Sequence, residues 1–521
     1  MATGKLPSSQ RGWRPTVGFR EVRLRHVPRS PHRLAGSPCM TENALIRLAN
    51  PELDRLLAIA FSRYPHLESG LFVRFGWRQT ASDLVLTLAA IEPPGDGDLD
   101  LSLPNVAFTE SFVLRTALLA ERDPLAVGVV HSHPEGGLPL PSRIDDDMDS
   151  YLSDYFEGFA PGRPYVSLIV SLVHGQPLMS ARVKFEGQWI DASRFLAVER
   201  SIRTPRHFLT SGSKSPTDRV ARLRAAFGDE AVQRLRESTV AVVGAGGTGS
   251  AVIEVLARAG VGKIVMVDPD QLEHSNLERV HGARPEHATS NEFKVSVARE
   301  HVLAIDPTVE VISCVGRLPQ PEVLDLLLLA DVVIGCTDQQ YSRLALSDLA
   351  VRYLVPAIDC GVLMEGEAGR VTGQIIQLVR FLPSDPCASC RQMTSPVRLA
   401  QEMMSADERE IRQAAAADAA VAGADGGQYW SHEPQLNTVG YLTTVAGALA
   451  AGQAIGWLTG RSAPRLSRLQ MNLSEPFFDV TEPADEPRSS CACRQIRGWA
   501  DQGAADALIS PATHWPGAVV I

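Results

Sequence analysis

Between residues 43 and 198 the apolar positions come in short runs bounded by polar and turn residues. SGLFVRFGW, LVLTLAAIE, AVGVVHSHP and YVSLIVSLV are each of strand length and rich in β-branched and aromatic residues. One segment, NPELDRLLAIAFSRYP, repeats its apolar positions at helical spacing instead. The pattern predicts a compact α/β domain over 41–199. Residues 203–219, RTPRHFLTSGSKSPTDR, are polar and punctuated by Pro and Ser, which predicts a linker over 200–217. RVARLRAAFGDEAVQRLRES then reads as helical and leads into a strand, TVAVV. From there strands and helices alternate: TVAVVGAGG, a helix over 250–259, KIVMVD, a helix over 294–304, VEVISCV and ADVVIGCTD. Such alternation predicts a doubly wound parallel sheet over 218–521. Residues 403–427 read as a short helix followed by an Ala/Gly-rich loop, and no internal repeat is evident.

Composition narrows the class. The chain has 521 residues, 45% of them hydrophobic and 21% charged, the profile of a multi-domain globular protein. A net charge of −10 argues against nucleic acid as the main partner. Residues 1–40 are rich in Arg, Pro and Ser and have no apolar core, so they read as a disordered basic tail rather than a secretory signal. An upstream extension, with translation starting at Met40, would look the same. Residues 435–460 are uncharged and nearly long enough to span a bilayer. They are mostly Ala, Gly and Thr, with Gln453 in their middle, so a buried packing helix is expected and a cytoplasmic location follows. Eight cysteines include two close pairs, a spacing that suits metal ligation better than a disulfide scaffold.

Two constellations carry the chemistry. In the first, His131 and His133 end the apolar strand AVGVVHSH, and strand alternation puts both rings on one face. Asp145, from the following segment, can add a carboxylate. Two His and one carboxylate with an open fourth position form a catalytic zinc pattern, in which the metal lowers the pKa of water to about 7. Glu68, in LESGLFVRFG, is a candidate general base. Taken alone, H-x-H also suits a surface strand end. The order E-S-G-L, H-S-H-P, P-S-R-I-D, however, resembles the JAMM (JAB/MPN) metalloprotease family, whose members cut after the C-terminal glycines of ubiquitin-like proteins. The resemblance implies His131, His133 and Asp145 as zinc ligands, Glu68 as acid/base and Ser142 as a stabiliser of the tetrahedral intermediate. The family's usual gap between the second His and the Asp is ten residues. Here it is eleven, residues 134–144.

In the second, TVAVVGAGGTGS follows a strand and opens a helix, and Gly244, Gly246, Gly247 and Gly249 can bring backbone close to phosphates. Asp268, ending KIVMVD, can hold ribose hydroxyls. These residues alone would equally fit an NAD-dependent oxidoreductase. The following VDPDQLEHSNLERV, Lys294 in NEFKVSVARE, and GCTDQQYSR resemble the ThiF/MoeB adenylating family, the fold of ubiquitin-activating enzymes. That resemblance implies ATP and Mg²⁺. It places Asp268 and Asp270 at the ribose end, Asn276, Arg279 and Lys294 on the phosphates, Asp338 at the metal and α-phosphate, and Arg222 at the nucleotide of a neighbouring subunit in a homodimer. Cys387, Cys390, Cys491 and Cys493 would form the family's structural zinc site, with a second pair one residue tighter than its usual C-x-x-C.

Residues 391–490 contain no cysteine to take over an activated glycine. Cys314, Cys336 and Cys360 read as core residues, though Cys360 at the strand end IDCG could be accessible; the adenylate could pass to a separate thiol, to Cys360, or to Thr394 or Ser395. The sequence therefore leads to an α/β fusion: a JAB/MPN-like peptidase domain followed by a Rossmann-like adenylating domain. It would use two Zn²⁺, ATP and Mg²⁺ and act on a ubiquitin-like partner ending in glycine, with a possible separate conjugating enzyme, no nucleic acid and no membrane. By resemblance to bacterial conjugation operons it could serve antiviral defence. Activation of a sulfur carrier for thiocarboxylate-dependent synthesis is the alternative within the same chemistry.

Overall fold

The computed structural model describes residues 41, 43–100, 105–134, 137–198, 202–203, 206–207, 218–367, 369–423, 430, 438–462, 467–474 and 486–521. The basic tail, most of the linker and the end of the 403–427 loop lie outside these residues.

The β-branched runs build a first sheet from β1 (Asn43–Ala49), β2 (Gly70–Gln79), β3 (Asp83–Glu92), β4 (Ala126–Ser132), β5 (Tyr165–Val173), β6 (Gln176–Phe185) and β7 (Gln188–Val198). The short strands β8 (Ile202–Arg203) and β9 (Arg206–His207) lie within the segment expected to be linker. The order is β8-β7-β1-β3-β2-β4-β5-β6-β9, and β6 also pairs with β7, so the sheet closes on itself. Three helices serve this half where the apolar pattern predicts one: α1 (Asn50–Ala60), α2 (Glu110–Arg122) and α3 (Arg143–Glu157). The reason is clear in α3, which buries Asp145, Asp149 and Ser153 beside Leu152 and Phe156. A helix whose buried face is half polar leaves no hydrophobic period to read.

The second half begins with α4 (Ala221–Phe227) and α5 (Asp229–Glu237), one expected helix split at Gly228, whose φ of 87° ends the first. The sheet comprises β10 (Thr239–Val243), β11 (Lys263–Val267), β12 (Glu310–Val315), β13 (Val332–Gly335), β14 (Ala357–Glu367), β15 (Arg370–Phe381), β16 (Arg468–Asn472) and β17 (Val519–Val520). It is accompanied by α6 (Gly247–Ala259), α7 (Pro285–Thr289), α8 (Lys294–Ile305), α9 (Pro321–Leu327), α10 (Gln340–Arg352), α11 (Pro396–Glu402), α12 (Ala406–Val421) and α13 (Gly440–Thr459). The order is β16-β15-β14-β13-β10-β11-β12-β17. The strands β14, β13, β10, β11 and β12 are parallel, and β15, β16 and β17 are antiparallel additions. The central parallel strands β10, β11 and β13 are largely apolar because both faces are covered, by α6, α8 and α13 on one side and α9 and α10 on the other. The expected packing helix is α13: at Gly447 a Cβ would stand 2.6 Å from the Thr248 carbonyl, so small residues let α13 lie against α6. Among the described residues no helix is long and apolar enough to cross a membrane. Chain order reverses between β10 and β13, which opens a crevice beyond their carboxyl ends.

The two sheets share one interior. Leu45, Val85 and Leu196 of the first half are buried with Leu327, Leu328, Tyr353 and Ala500 of the second. Arg47 on β1 is fully buried and donates to the carbonyls of Leu328 at 2.8 Å and Ala330 at 2.6 Å, just past the end of α9. Burial pushes its pKa down to about 9 against the pull of Asp331. The helix-end carbonyls, which have no partner within the helix, offset that desolvation. Backbone meets backbone as well: Gly76 N donates to Gly498 O at 3.2 Å, and a Cβ on Gly76 would stand 2.3 Å from Trp499. Arg47→Met should therefore destabilise the whole chain by about 3 kcal/mol, because it orphans buried carbonyls. The urea-unfolding midpoint measures this.

Candidate metal and nucleotide sites

The first cluster forms where β4 leaves the sheet. Gly70 pairs with His131 in register, and Ser132 N donates to Ser69 O at 3.0 Å, so Glu68 comes to the end of β4 beside the histidines. Glu68 is oriented by Val106, whose N–H donates to Oε2 at 3.0 Å. Asp145 enters from the first turn of α3, and Ser142 is the N-cap that holds it there. Ser142 N donates to Asp145 Oδ2 at 2.6 Å, and Asp145 N donates to Ser142 Oγ at 3.3 Å. The cap at Ser142 thus brings Asp145 beside both histidines. His131 Nε2 lies 3.0 Å from Asp145 Oδ1, and His133 Nε2 lies 3.4 Å from Oδ2. One ligand atom from each of the three residues falls within 4.8 Å of the others.

Two further observations fit a metal here. His131 is 0% exposed, and neither ring nitrogen makes an aligned hydrogen bond, an expensive arrangement for a buried imidazole. His133 Nδ1 pairs with the Leu138 carbonyl at 2.9 Å, which fixes the tautomer that leaves Nε2 free to ligate. That carbonyl is a supporting group with no signature in sequence. Nitrogen and oxygen ligands spread tetrahedrally around zinc would stand about 3.4 Å apart, and the two imidazole nitrogens stand 3.0 and 3.4 Å from Asp145 oxygens. Burial would raise the Asp145 pKa, yet the two imidazoles beside it and the Ser142 N–H hold it far below the usual carboxylate range. Burial likewise opposes protonation of His133, but Asp145, the Leu138 carbonyl and the Glu68 charge raise its pKa.

The second cluster lies on the crevice above β10. Gly244 has φ +96°, and a Cβ there would meet the Cys336 carbonyl at 2.8 Å; at Gly249 a Cβ would come within 1.7 Å of the Gly244 carbonyl. Gly246, the N-cap of α6, has open space where its Cβ would point, and Gly247 begins the helix against Arg279 and Thr443. Asp268, 5% exposed at the end of β11, accepts from Ala245 N at 2.7 Å and Asp270 N at 2.8 Å. Burial raises its pKa, while Lys294 draws it down. Lys294 Nζ lies 2.9 Å from Asp270 Oδ2. Burial alone would lower the Lys294 pKa, but Asp268 and Asp270 raise it, so the ammonium stays charged. Arg279 Nη1 donates to Ser275 O at 2.9 Å, and Asn276 Oδ1 accepts from Glu273 N at 3.2 Å, so both are set by a single turn of chain. Asp338 is exposed on the loop after β13, its carbonyl accepting from Arg398 Nη2 at 3.3 Å. That brace from α11 spans sixty residues and left no sequence signal. Beside the glycine loop, the Thr337 hydroxyl and both oxygens of Asp359 are buried without a hydrogen bond, although Asp359 Oδ2 lies 3.2 Å from Arg343 Nε.

Arg222 does not join this cluster. Arg219, at the foot of α4, donates to the Ala257 carbonyl at 3.1 Å, at the end of α6 opposite the glycine loop, so α6, about 20 Å long, separates them. Cys360 is not where a nucleophile could act. It is 1% exposed, its thiol donates to the Ala446 carbonyl at 3.4 Å, and burial pushes its pKa well up, so it is no accessible nucleophile. Cys336 is likewise held protonated by burial. Ser395 is exposed and caps α11, its Oγ accepting from Arg398 N at 3.5 Å, and Thr394 is half-buried beside it.

The third cluster joins distant segments. Cys387 and Cys491 sulfurs lie 3.7 Å apart, and Cys390 and Cys493 sulfurs 3.9 Å, far from the bond length of a disulfide. Four thiolates on a tetrahedron around zinc stand about 3.8 Å apart. Cys390 N donates to Cys387 Sγ at 3.4 Å, and Arg488 N to Cys390 Sγ at 3.3 Å. The facing Cys493 thiol and the Cys390 N–H hold the Cys387 pKa down to about 5 despite burial. The tighter C-A-C pair thus still closes a four-sulfur group.

A glycine-rich strand–helix turn, an acidic residue ending the next strand and a lysine opening a later helix define a nucleotide-binding α/β protein. The family model named ThiF matches residues 219–494, more than half of the chain, and the chain belongs to that family. Among its relatives, "Adenylyltransferase and sulfurtransferase UBA4" of Saccharomyces cerevisiae is 31% identical over 165 residues, covering 31% of this chain and 35% of that protein. The protein of the same name from Kluyveromyces lactis is 33% identical over 165 residues, with 31% and 35% covered. The match thus spans about a third of the length of these curated relatives. Among solved structures, Escherichia coli MccB with ATP is 19% identical with a TM-score of 0.39, covering 53% of this chain and 74% of that one.

Proposed function

We propose that the chain carries two activities directed at the same partner: a zinc peptidase at His131, His133, Asp145 and Glu68, and ATP-dependent adenylation of a C-terminal glycine at the crevice above β10. The observation that carries the first is the convergence of two imidazoles and a carboxylate, one imidazole buried without an aligned hydrogen bond. The second rests on ThiF membership together with the Asp268–Asp270–Lys294 cluster at the glycine loop.

His131, His133 and Asp145 would hold zinc, which when bound would supply Lewis acidity and lower the pKa of water. Glu68, oriented through Oε2, takes a proton from the attacking water and returns it to the departing amine. Ser142 keeps Asp145 in place from the helix cap, besides any contact with the substrate. In the crevice, the N–H groups at the start of α6 cradle phosphates, Asp268 holds the ribose, and Asn276, Arg279 and Lys294 line the phosphate side. A carboxylate oxygen of the partner attacks the α-phosphorus and the bond to pyrophosphate breaks. Lys294 and Arg279 neutralise the leaving charge, and Asp338 orders Mg²⁺. Arg222 would complete the site of a second copy, since it lies away from its own.

Metal analysis tests the peptidase half without a partner. About two zinc per chain are expected, falling to about one in His131→Ala/His133→Ala with the fold retained. A histidine variant that keeps all its zinc would remove the peptidase from this reading. Sulfur-carrier activation is the second reading of the adenylation site. It is favoured by the sulfurtransferase in the relatives' names and by the burial of Cys360, which keeps that thiol from taking over the adenylate.

A further inference from the structure

Residues 507–521 lie outside the family match, and none of the roles above falls on them. They run from the far end of α10 up to the carboxyl end of β12. Leu508 N donates to Asp348 Oδ1 in α10 at 3.1 Å. Trp515 packs on Tyr341 in the first turn of α10, ring centroids 4.9 Å apart, and Tyr341 stands three residues after Asp338 with Arg317 facing its hydroxyl. Gln320, 4% exposed, ties the segment to the loop after β12: its Oε1 accepts from Arg317 N and its Nε2 donates to Pro516 O, both at 2.6 Å. Gly316 lies so close to Ala518 that a Cβ there would stand 2.7 Å from the alanine methyl. Val519 and Val520 then pair antiparallel with Val315 and Cys314, and Arg299 Nη1 reaches Ile521 O at 3.1 Å.

The direction of a bound nucleotide gives this path a meaning. Phosphates belong at the turn from β10 to α6, and ribose hydroxyls at the acidic end of β11, so the base points onward toward β12. Asp268 N donates to Cys314 O at 3.1 Å, and Cys314 is paired on its other side with Val520. The first structure outward from the ribose end is therefore loop 316–320 backed by β17. Val519, Val520 and Ile521 are exposed apolar side chains at that edge.

We propose that residues 515–521 form the outer wall of the base end of the crevice, holding loop 316–320 where it receives the purine of a nucleoside triphosphate. The inference rests on nucleotide binding at this crevice. Two variants test it by titration calorimetry, one lacking residues 515–521 and one carrying Trp515→Ala, with ATP and inorganic tripolyphosphate as probes. ATP affinity should fall about tenfold in the first and about threefold in the second, with tripolyphosphate affinity unchanged. Unchanged ATP affinity in both, or equal losses for the two probes, would overturn the inference alone. If the shortened chain loses its cysteine-bound zinc and unfolds, the Trp515→Ala result decides. An unaltered protein that binds neither probe would overturn the inference and the nucleotide reading together.

Discussion

Replacing Cys387 and Cys390 together by alanine is expected to remove about one zinc per chain and to lower the unfolding temperature by about 10 °C, the largest stability effect foreseen for this protein. The size follows from what the cluster joins. Cys387 and Cys390 follow the long strand β15, whereas Cys491 and Cys493 begin the segment that runs on through Gly498 and Ala500. That segment touches the first half directly. Gly498 O accepts from Thr87 Oγ at 2.7 Å, Gln502 Oε1 accepts from Trp77 N at 2.7 Å, and Arg497 pairs with Glu52. Free energy of metal binding in a site that the unfolded chain lacks is folding free energy, so losing the metal loosens the staple and the joint between halves together. Scanning calorimetry with metal analysis on the same sample checks both. By contrast, His131→Ala/His133→Ala should cost zinc with little loss of melting temperature, since those ligands hang from one strand end and one helix cap.

Lys294→Ala should weaken ATP binding by about tenfold and depress pyrophosphate exchange, with a Gly-Gly-terminated carrier protein as substrate, by about 10²–10³-fold. Lys294 is the cation nearest the buried Asp268, and its ammonium is already tethered to Asp270 at 2.9 Å, so the charge stands ready beside the glycine loop. Removing it leaves two carboxylates facing incoming phosphates with one cation fewer. The effect on exchange should exceed the effect on binding, because charge on the leaving pyrophosphate grows in the transition state. Lys294→Arg should restore part of the binding and little of the exchange, since a planar fork does not fit where a point charge stood. Equal losses in binding and exchange would assign Lys294 to holding ATP rather than to the chemistry.

What could be read from the sequence follows how local each signal is. The glycine loop is legible because Gly244 and Gly249 answer to backbone clashes within one turn, and Asp268 because it ends an apolar strand. His131 and His133 are legible for the same reason. Asp145 was less so, since its place depends on how the loop before Ser142 turns, and the polar buried face of α3 hid the helix that carries it. Arg222 was recognisable as a residue type, but its distance from the glycine loop is a tertiary fact. Cys360 looked accessible at a strand end, and only the packing of α13 over β14 buries it. Arg47 and the rim segment 507–521 left no pattern, because their partners are backbone carbonyls and loops far along the chain.

The buried guanidinium of Arg47 and the glycine-to-glycine contact between β2 and residue 498 have a consequence for timing. Halves joined through a common interior cannot swing like beads on a string, so the distance between the histidine cluster and the glycine loop is a constant of the fold. Under the proposed pair of activities, a partner's tail would either be long enough to cover that distance while its body stays put, or leave one site completely before it meets the other. In the second case, the two proposed activities would be separate encounters, each governed by how much partner is present rather than by the reach of any tether.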